Sequence, residues 1–237
     1  MLAKMIDKIV SLKETKTFEI NGETYSDGPL ERIVPNVDMP REFSVSSLDS
    51  IVKLIKTEKE KVGRTILVHV NRYNQVTVYS TYLDNFKRYL LYHATAETPD
   101  FSEGWRPYEK AIIELRSIFF PNEGTKYLLN LLSSMTSENS VKTSDNGVTQ
   151  KVEAKQGIAL NALVEVKPRI ALCPFRTFLE VAQPESEFVL RVDDNKGVGL
   201  FEADGGVWKL EAKSNIAEYF ENNLSDEIEN GTVVVMQ

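Results

Sequence analysis

PFRTFLEVAQPESEFVLRVDDNKGVGLFEADGGVWKLEAK, residues 174–213, concentrates aromatic rings, paired acids and turn glycines more than any other part of the chain. Its alternation of apolar and polar residues predicts strands at Glu187–Asp193, Gly197–Ala203 and Val207–Glu211. Asp204-Gly205-Gly206 then reads as the hairpin turn joining the last two, because glycine tolerates the positive φ that tight turns need. On that reading the glycine pair opens no helix and cradles no phosphate.

Working outward, further two-residue periodicity predicts strands at Arg169–Cys173, around Val148–Lys155 and Ile158–Val166, and in a meander of Arg64–Asn71, Gln75–Tyr82 and Lys87–Thr95. Asn21-Gly22 between Thr17–Glu19 and Glu23–Tyr25 marks another hairpin. Helical spacing of apolar residues predicts five helices. An opening helix carries Leu2, Met5, Ile6, Ile9 and Val10. A second, capped by Ser46, carries Leu48, Ile51, Val52 and Ile55. A third runs from about Pro107 through Phe119 and stops at Pro121, a fourth spans Thr125–Met135, and the last spans about Ser214–Leu224. About ten strands and five helices in mixed order define an α+β fold with mostly antiparallel sheets. The polar stretch TSENSVKTSDNG, residues 136–147, suggests a boundary between residues 1–140 and a β-rich unit at 141–237, unless the chain forms one continuous domain.

Charge and composition narrow the functions. The chain has 237 residues, 42% of them apolar, and a net charge of −7. Residues 180–237 hold 13 acids and 4 bases, so about −9 resides in the last quarter. Such a face repels nucleic acid and anionic lipid, which confines any phosphate-binding surface to the first three quarters. No apolar run reaches the ~18 residues of a membrane span, and the amino terminus is a poor secretory signal. The expectation is an intracellular, cytoplasmic protein, and the single cysteine, Cys173, can form no intrachain disulfide.

Several residue sets carry candidate chemistry, each beside a structural role. Arg64, Arg72, Tyr73, Tyr79, Lys87 and Arg88 mix rings and cations on the meander, as a platform for single-stranded nucleic acid does; a sheet with one wet face has the same composition, and that role is favoured. Arg176, Gln183 and Glu185 around Pro184 suit a recognition loop, although an arginine fork also knits a sheet edge to a turn. Asp193 or Asp194 with Glu211 and Lys213 matches the D…ExK spacing of a Mg²⁺-dependent nuclease, a pattern common by chance. His69 and His93 fall on strands two apart with no third ligand indicated. No nucleophile elbow and no cofactor motif is present.

The segments DNGVTQKVEAKQGIA (145–159), PFRTFLEVAQPESEF (174–188) and LFEADGGVWKLEA (200–212) resemble a family of uncharacterised proteins carried by phages and prophages of Gram-positive bacteria, related in general layout to the YfdQ-like group. The resemblance implies a phage-derived protein in the bacterial host cell and transfers no catalytic residue. Together the observations lead to a non-enzymatic binding protein serving phage replication, recombination or host takeover, with a virion or assembly component and a nuclease as alternatives. A protein partner or single-stranded nucleic acid, no membrane and no cofactor are expected. Exposed strand edges favour self-association as a homo-oligomer.

Overall fold

The computed structural model describes residues 5–6, 16–26, 41–82, 87–99, 101–135, 143–145, 150–155 and 161–237. The chain divides into two compact units, one of Met1–Arg41 with Tyr82–Lys87 and the other of Glu42–Thr81 with Arg88–Gln237. In the smaller unit β1 (Thr17–Ile20) pairs antiparallel with β2 (Glu23–Ser26). Asn21 and Gly22 turn between them at φ 54° and 79°, the left-handed pair that Asn-Gly accommodates. Of the expected opening helix, Met5 and Ile6 are helical and exposed, while Leu2, Ile9 and Val10 lie outside the described residues.

The larger unit runs β3 (Phe43–Val45), α1 (Leu48–Val62), β4 (Ile66–Arg72), β5 (Gln75–Ser80), β6 (Leu90–Thr95), β7 (Gly104–Arg106), α2 (Tyr108–Ser117), β8 (Phe119–Phe120), α3 (Glu123–Met135), β9 (Thr143–Asp145), β10 (Gln150–Lys155) and β11 (Asn161–Val166). It continues with β12 (Arg169–Pro174), β13 (Ser186–Asp193), β14 (Gly197–Glu202), α4 (Trp208–Asn223), α5 (Ser225–Glu229) and β15 (Val233–Met236). The strands form a five-stranded sheet β15-β4-β5-β6-β3, a second five-stranded sheet β7-β14-β13-β12-β8, and a three-stranded sheet β11-β10-β9. This is an α+β fold in which antiparallel pairing prevails; among the described residues the two parallel pairs are β15 with β4 and β3 with β6.

Each five-stranded sheet buries one face under two helices. Leu48, Ile51 and Ile55 of α1 and Ile216 and Phe220 of α4 lie in one core with Ile66, Val68, Val70, Val76 and Val78. Leu115 of α2 and Leu128 and Leu132 of α3 share the other with Ile170, Leu172, Phe188, Leu190 and Leu200. Full burial of such side chains contributes about 1.5–3 kcal/mol each, which is why the apolar stripes dictate where the helices dock. Both cores draw on residues from either side of residue 140.

Several local expectations require correction. Ser47, not Ser46, caps α1, its hydroxyl accepting from the Ser50 amide at 3.3 Å. The third expected helix ends at Ser117, short of Pro121, because Phe119 and Phe120 leave it to pair with Cys173 and Pro174. The largest correction concerns Val207–Glu211. This segment is not a strand: Val207 precedes α4, which begins at Trp208, so Asp204-Gly205-Gly206 opens a helix instead of turning a hairpin. Trp208, Ala212, Ile216 and Phe220 repeat every four residues and are buried, and that stripe outweighs the short local alternation.

Candidate functional site

The segment after β12 joins the two large sheets. Its backbone is held from within by Gln183, whose Oε1 accepts from the amides of Arg176 (3.0 Å) and Thr177 (3.2 Å) while its Nε2 donates to the Phe178 carbonyl at 2.9 Å. Thr177 donates its hydroxyl to the Tyr73 carbonyl in the β4–β5 turn at 2.5 Å. Phe178, 1% exposed, belongs to the core of the first sheet although the strand it follows, β12, belongs to the second.

Arg176 stands where these elements converge. Its guanidinium donates to Glu202 at the end of β14 through Nη1 and to the Ser186 hydroxyl through Nη2. Its Cζ lies 3.7 Å from the centroid of the Trp208 ring, close enough for a strong cation–π contact, and Tyr73 meets Trp208 edge-on at 4.7 Å. Burial holds the guanidinium pKa below its ordinary value, although the carboxylates of Glu202 and then Asp204 act in the opposite direction.

The helix start completes the site. Gly205 and Gly206 take φ 65° and 82°, and Asp204 Oδ1 accepts from the Gly206 amide at 2.9 Å, which aims the chain into α4. Tyr73, Asn74, Phe101, Arg176, Glu202 and Trp208 line a pocket of about 300 Å³. Three buried polar atoms here have no hydrogen-bond partner among the described residues: Arg176 Nε, Asp204 Oδ2 and Trp208 Nε1. Native proteins leave few such atoms, so three in one neighbourhood mark the place chemically.

The other expected sites take different forms. Of the recognition-loop residues, Arg176 lines the pocket, Gln183 staples the loop, and Glu185 lies outside the pocket, accepting from Asn122 Nδ2 at 2.7 Å. The meander set does not converge. Arg64 precedes β4 and Arg72 ends it, which places them roughly 20 Å or more apart along the strand. Tyr73 turns into the pocket, Tyr79 lies half-buried opposite Leu67, Arg88 is exposed ahead of β6, and Lys87 falls in the smaller unit.

His69 and His93 do share a face, each in register with Thr77 on the strand between them, and His93 Nε2 pairs with Ser44 Oγ at 2.9 Å. Among the described residues no group of three or more His, Cys, Asp or Glu side chains could hold a metal ion. Asp193 Oδ1 instead accepts from the amides of Asn195 and Lys196, both at 2.9 Å, and these bonds hold the carboxyl below its ordinary range. Glu211 and Lys213 lie on helix α4, where residues two apart project about 200° from one another. A strand would have placed them on one face, so the helix removes the basis of the D…ExK arrangement.

The sequence does not show the pocket directly, because the short alternation around its ring, Trp208, imitates a strand. The four-residue repeat from Trp208 to Phe220 was the signal that could have found it. Comparison with protein-family models, with curated proteins and with solved structures finds no match in any of the three. Among the described residues no helix is long and apolar enough to cross a membrane.

Proposed function

We propose that the chain is a binding protein that recognises a small neutral polar group in the pocket around Arg176. What supports this is the trio of unpartnered atoms beside the Arg176–Trp208 stack. A buried polar atom left unsatisfied costs about 1–3 kcal/mol, so a ligand that satisfies the trio recovers more than its contact area alone would give. An amide has the required complement: its carbonyl oxygen accepts from N–H donors such as Arg176 Nε and Trp208 Nε1, and its own N–H donates to Asp204 Oδ2. Glu202 and Asp204 offset the charge of Arg176, which disfavours a free anion. Arg176 and Trp208 line the pocket, and because the three atoms are buried, side chains of the lining must move for a ligand to meet them.

In the setting implied by the resemblance of residues 145–159, 174–188 and 200–212, this recognition serves phage replication, recombination or host takeover within the host cytoplasm, in a homo-oligomer whose partners cover the sheet edges. The test uses the two tryptophans of the chain. In a ¹⁵N–¹H spectrum, acetamide is expected to shift the indole signal of Trp208 and leave that of Trp105 in place, with acetate and methylammonium weaker. If none of the three probes moves Trp208, the pocket is not a recognition site.

A further inference from the structure

The face of the second sheet opposite α2 and α3 carries a separate arrangement. Along β13 the side chains of Phe188, Leu190 and Val192 enter the core, so Val189 and Arg191 point the other way. Register aligns Arg191 with Gly199 and Gly199 with Trp105, giving one row across three strands. The next row is Arg169, Val189 and Phe201. Each row therefore carries a ring towards the β7 edge and a cation towards β12.

The rings are placed by a missing side chain. A Cβ on Gly199 would sit 2.7 Å from the Phe201 ring and 3.2 Å from the Trp105 ring, so only glycine lets them meet edge-on at 6.0 Å over the backbone. Trp105 nevertheless remains 40% exposed, an unusual position for so large an apolar ring. Exposed Lys196 lies over it, 5.4 Å from the centroid.

Charge distinguishes this face from its surroundings. The acidic excess of residues 180–237, four bases against 13 acids, leads to the expectation that no phosphate binds there, but the fold gathers two of the four bases, Arg191 and Lys196, beside Arg169 on this face. On this face Glu187 pairs with Arg169 at 2.9 Å, both side chains more than half exposed, an ion pair of little strength. Asp193, at the end of β13, alternates onto the same side as Arg191, but its carboxylate is engaged by the Asn195 and Lys196 amides at 2.9 Å.

From this juxtaposition we infer that the outer face of the second sheet binds single-stranded nucleic acid, with bases stacking on Trp105 and Phe201 and phosphates meeting Arg191, Arg169 and Lys196. Neighbouring strands are about 4.8 Å apart, so the cations flank the rings within the reach of long side chains. Stacking on rings beside cations needs no particular base, because every base has a π-face. Lys196, exposed and flexible, gives up the Trp105 face to a base and takes a phosphate instead. The surface is independent of the Arg176 pocket and lies on the other sheet from the meander set.

The test is fluorescence anisotropy of labelled oligo(dT) with the full chain, repeated across a salt series. Binding is expected at low salt and should weaken as salt rises. Trp105→Ala and Arg191→Glu should each lose about tenfold or more in affinity, while Arg64→Glu and Arg72→Glu change it little. In the unmodified chain, oligo(dT) should shift the Trp105 indole signal and spare that of Trp208, a readout that does not depend on any variant folding. Absence of binding at low salt, equal affinity for duplex, unchanged affinity in Trp105→Ala, or loss that follows Arg64 and Arg72 would each overturn the inference.

Discussion

The two five-stranded sheets use the chain differently. In the first, the meander β4-β5-β6 forms the centre, and its two edges arrive in parallel from residues 43–45 and 233–236, at distant points in the sequence. In the second, β12, β13 and β14 follow one another, and the edges β7 and β8 are short pieces bracketing α2. One sheet thus depends on long loop closure and the other mainly on local hairpins, which makes the second the less costly to nucleate. The peg between them is Phe178. It leaves the second sheet and fills the core of the first, so Phe178→Ala should be the most damaging change considered, about 3–5 kcal/mol by denaturant unfolding. Hydrogen exchange then sharpens the comparison. Loss of protection in both sheets together means the two cores unfold as one, and loss confined to the first means they are separately cooperative.

Next in size is a change that strikes only the second sheet. Gly124, in the first turn of α3, brings the helix so close to β12 that a Cβ would stand 2.0 Å from the Ala171 carbonyl oxygen and 3.1 Å from its carbon. Neither atom can swing away, since both are backbone. Gly124→Ala should therefore lift α3 from β12 and cost about 3 kcal/mol, measured by denaturant unfolding, with protection lost first in β12 and β13. If the first sheet loses protection equally, the contrast between local and long-range assembly fails.

How much of this was legible in the sequence follows from the range of the forces involved. Asn21-Gly22, the α1 stripe of Leu48, Ile51 and Ile55, and the alternating meander are local signals that the structure reproduces. The edge strands Phe43–Val45, Gly104–Arg106 and Val233–Met236 are three or four residues long and owe their conformation to a neighbour supplied from elsewhere, so periodicity could not reveal them. Val207–Glu211 failed for another reason: five residues of alternation competed with a helical stripe three times longer, and burial of Trp208, Ile216 and Phe220 decided the contest. The cluster around Arg176 suffered from both effects. The Arg176 fork is visible in the sequence, but its ring partner lies in a segment whose short alternation imitates a strand, and Tyr73 is more than a hundred residues away.

A gentler probe acts through pH on the first sheet alone. Glu227 of α5, 4% exposed, receives Lys59 of α1 at 2.8 Å. That hydrogen bond holds the Glu227 carboxyl below its ordinary range and raises Lys59. A depressed carboxyl stabilises the fold above its unfolded pKa of about 4.3, and the contribution is lost as pH falls through the lower folded value. Lys59 has the opposite sign, its contribution being lost as pH rises through its raised value. Glu227→Gln should accordingly flatten the acid limb of the stability curve by up to one proton's worth of slope. An unchanged acid limb would mean that other carboxylates, Asp193 among them, carry it.

The smallest effect separates stability from function within the second sheet. Gly199→Ala places a methyl against the edges of the Phe201 and Trp105 rings, 2.7 and 3.2 Å from their nearest atoms. Unlike the Ala171 carbonyl against Gly124, these rings are side chains at a partly open surface, Trp105 being 40% exposed, and can tilt outward. The expected stability loss is about 1 kcal/mol, at the low end for added bulk in a packed place. The tilt should alter Trp105 emission while the buried Trp208 stays unchanged, a distinction that Trp105→Phe makes readable by removing one of the two signals. If the ring pair is a stacking surface, the same methyl should weaken oligo(dT) binding far more than it weakens folding. If the pair only covers the sheet, stability falls and binding does not follow. The two sheets would then differ in how they are assembled but not in what their open faces do.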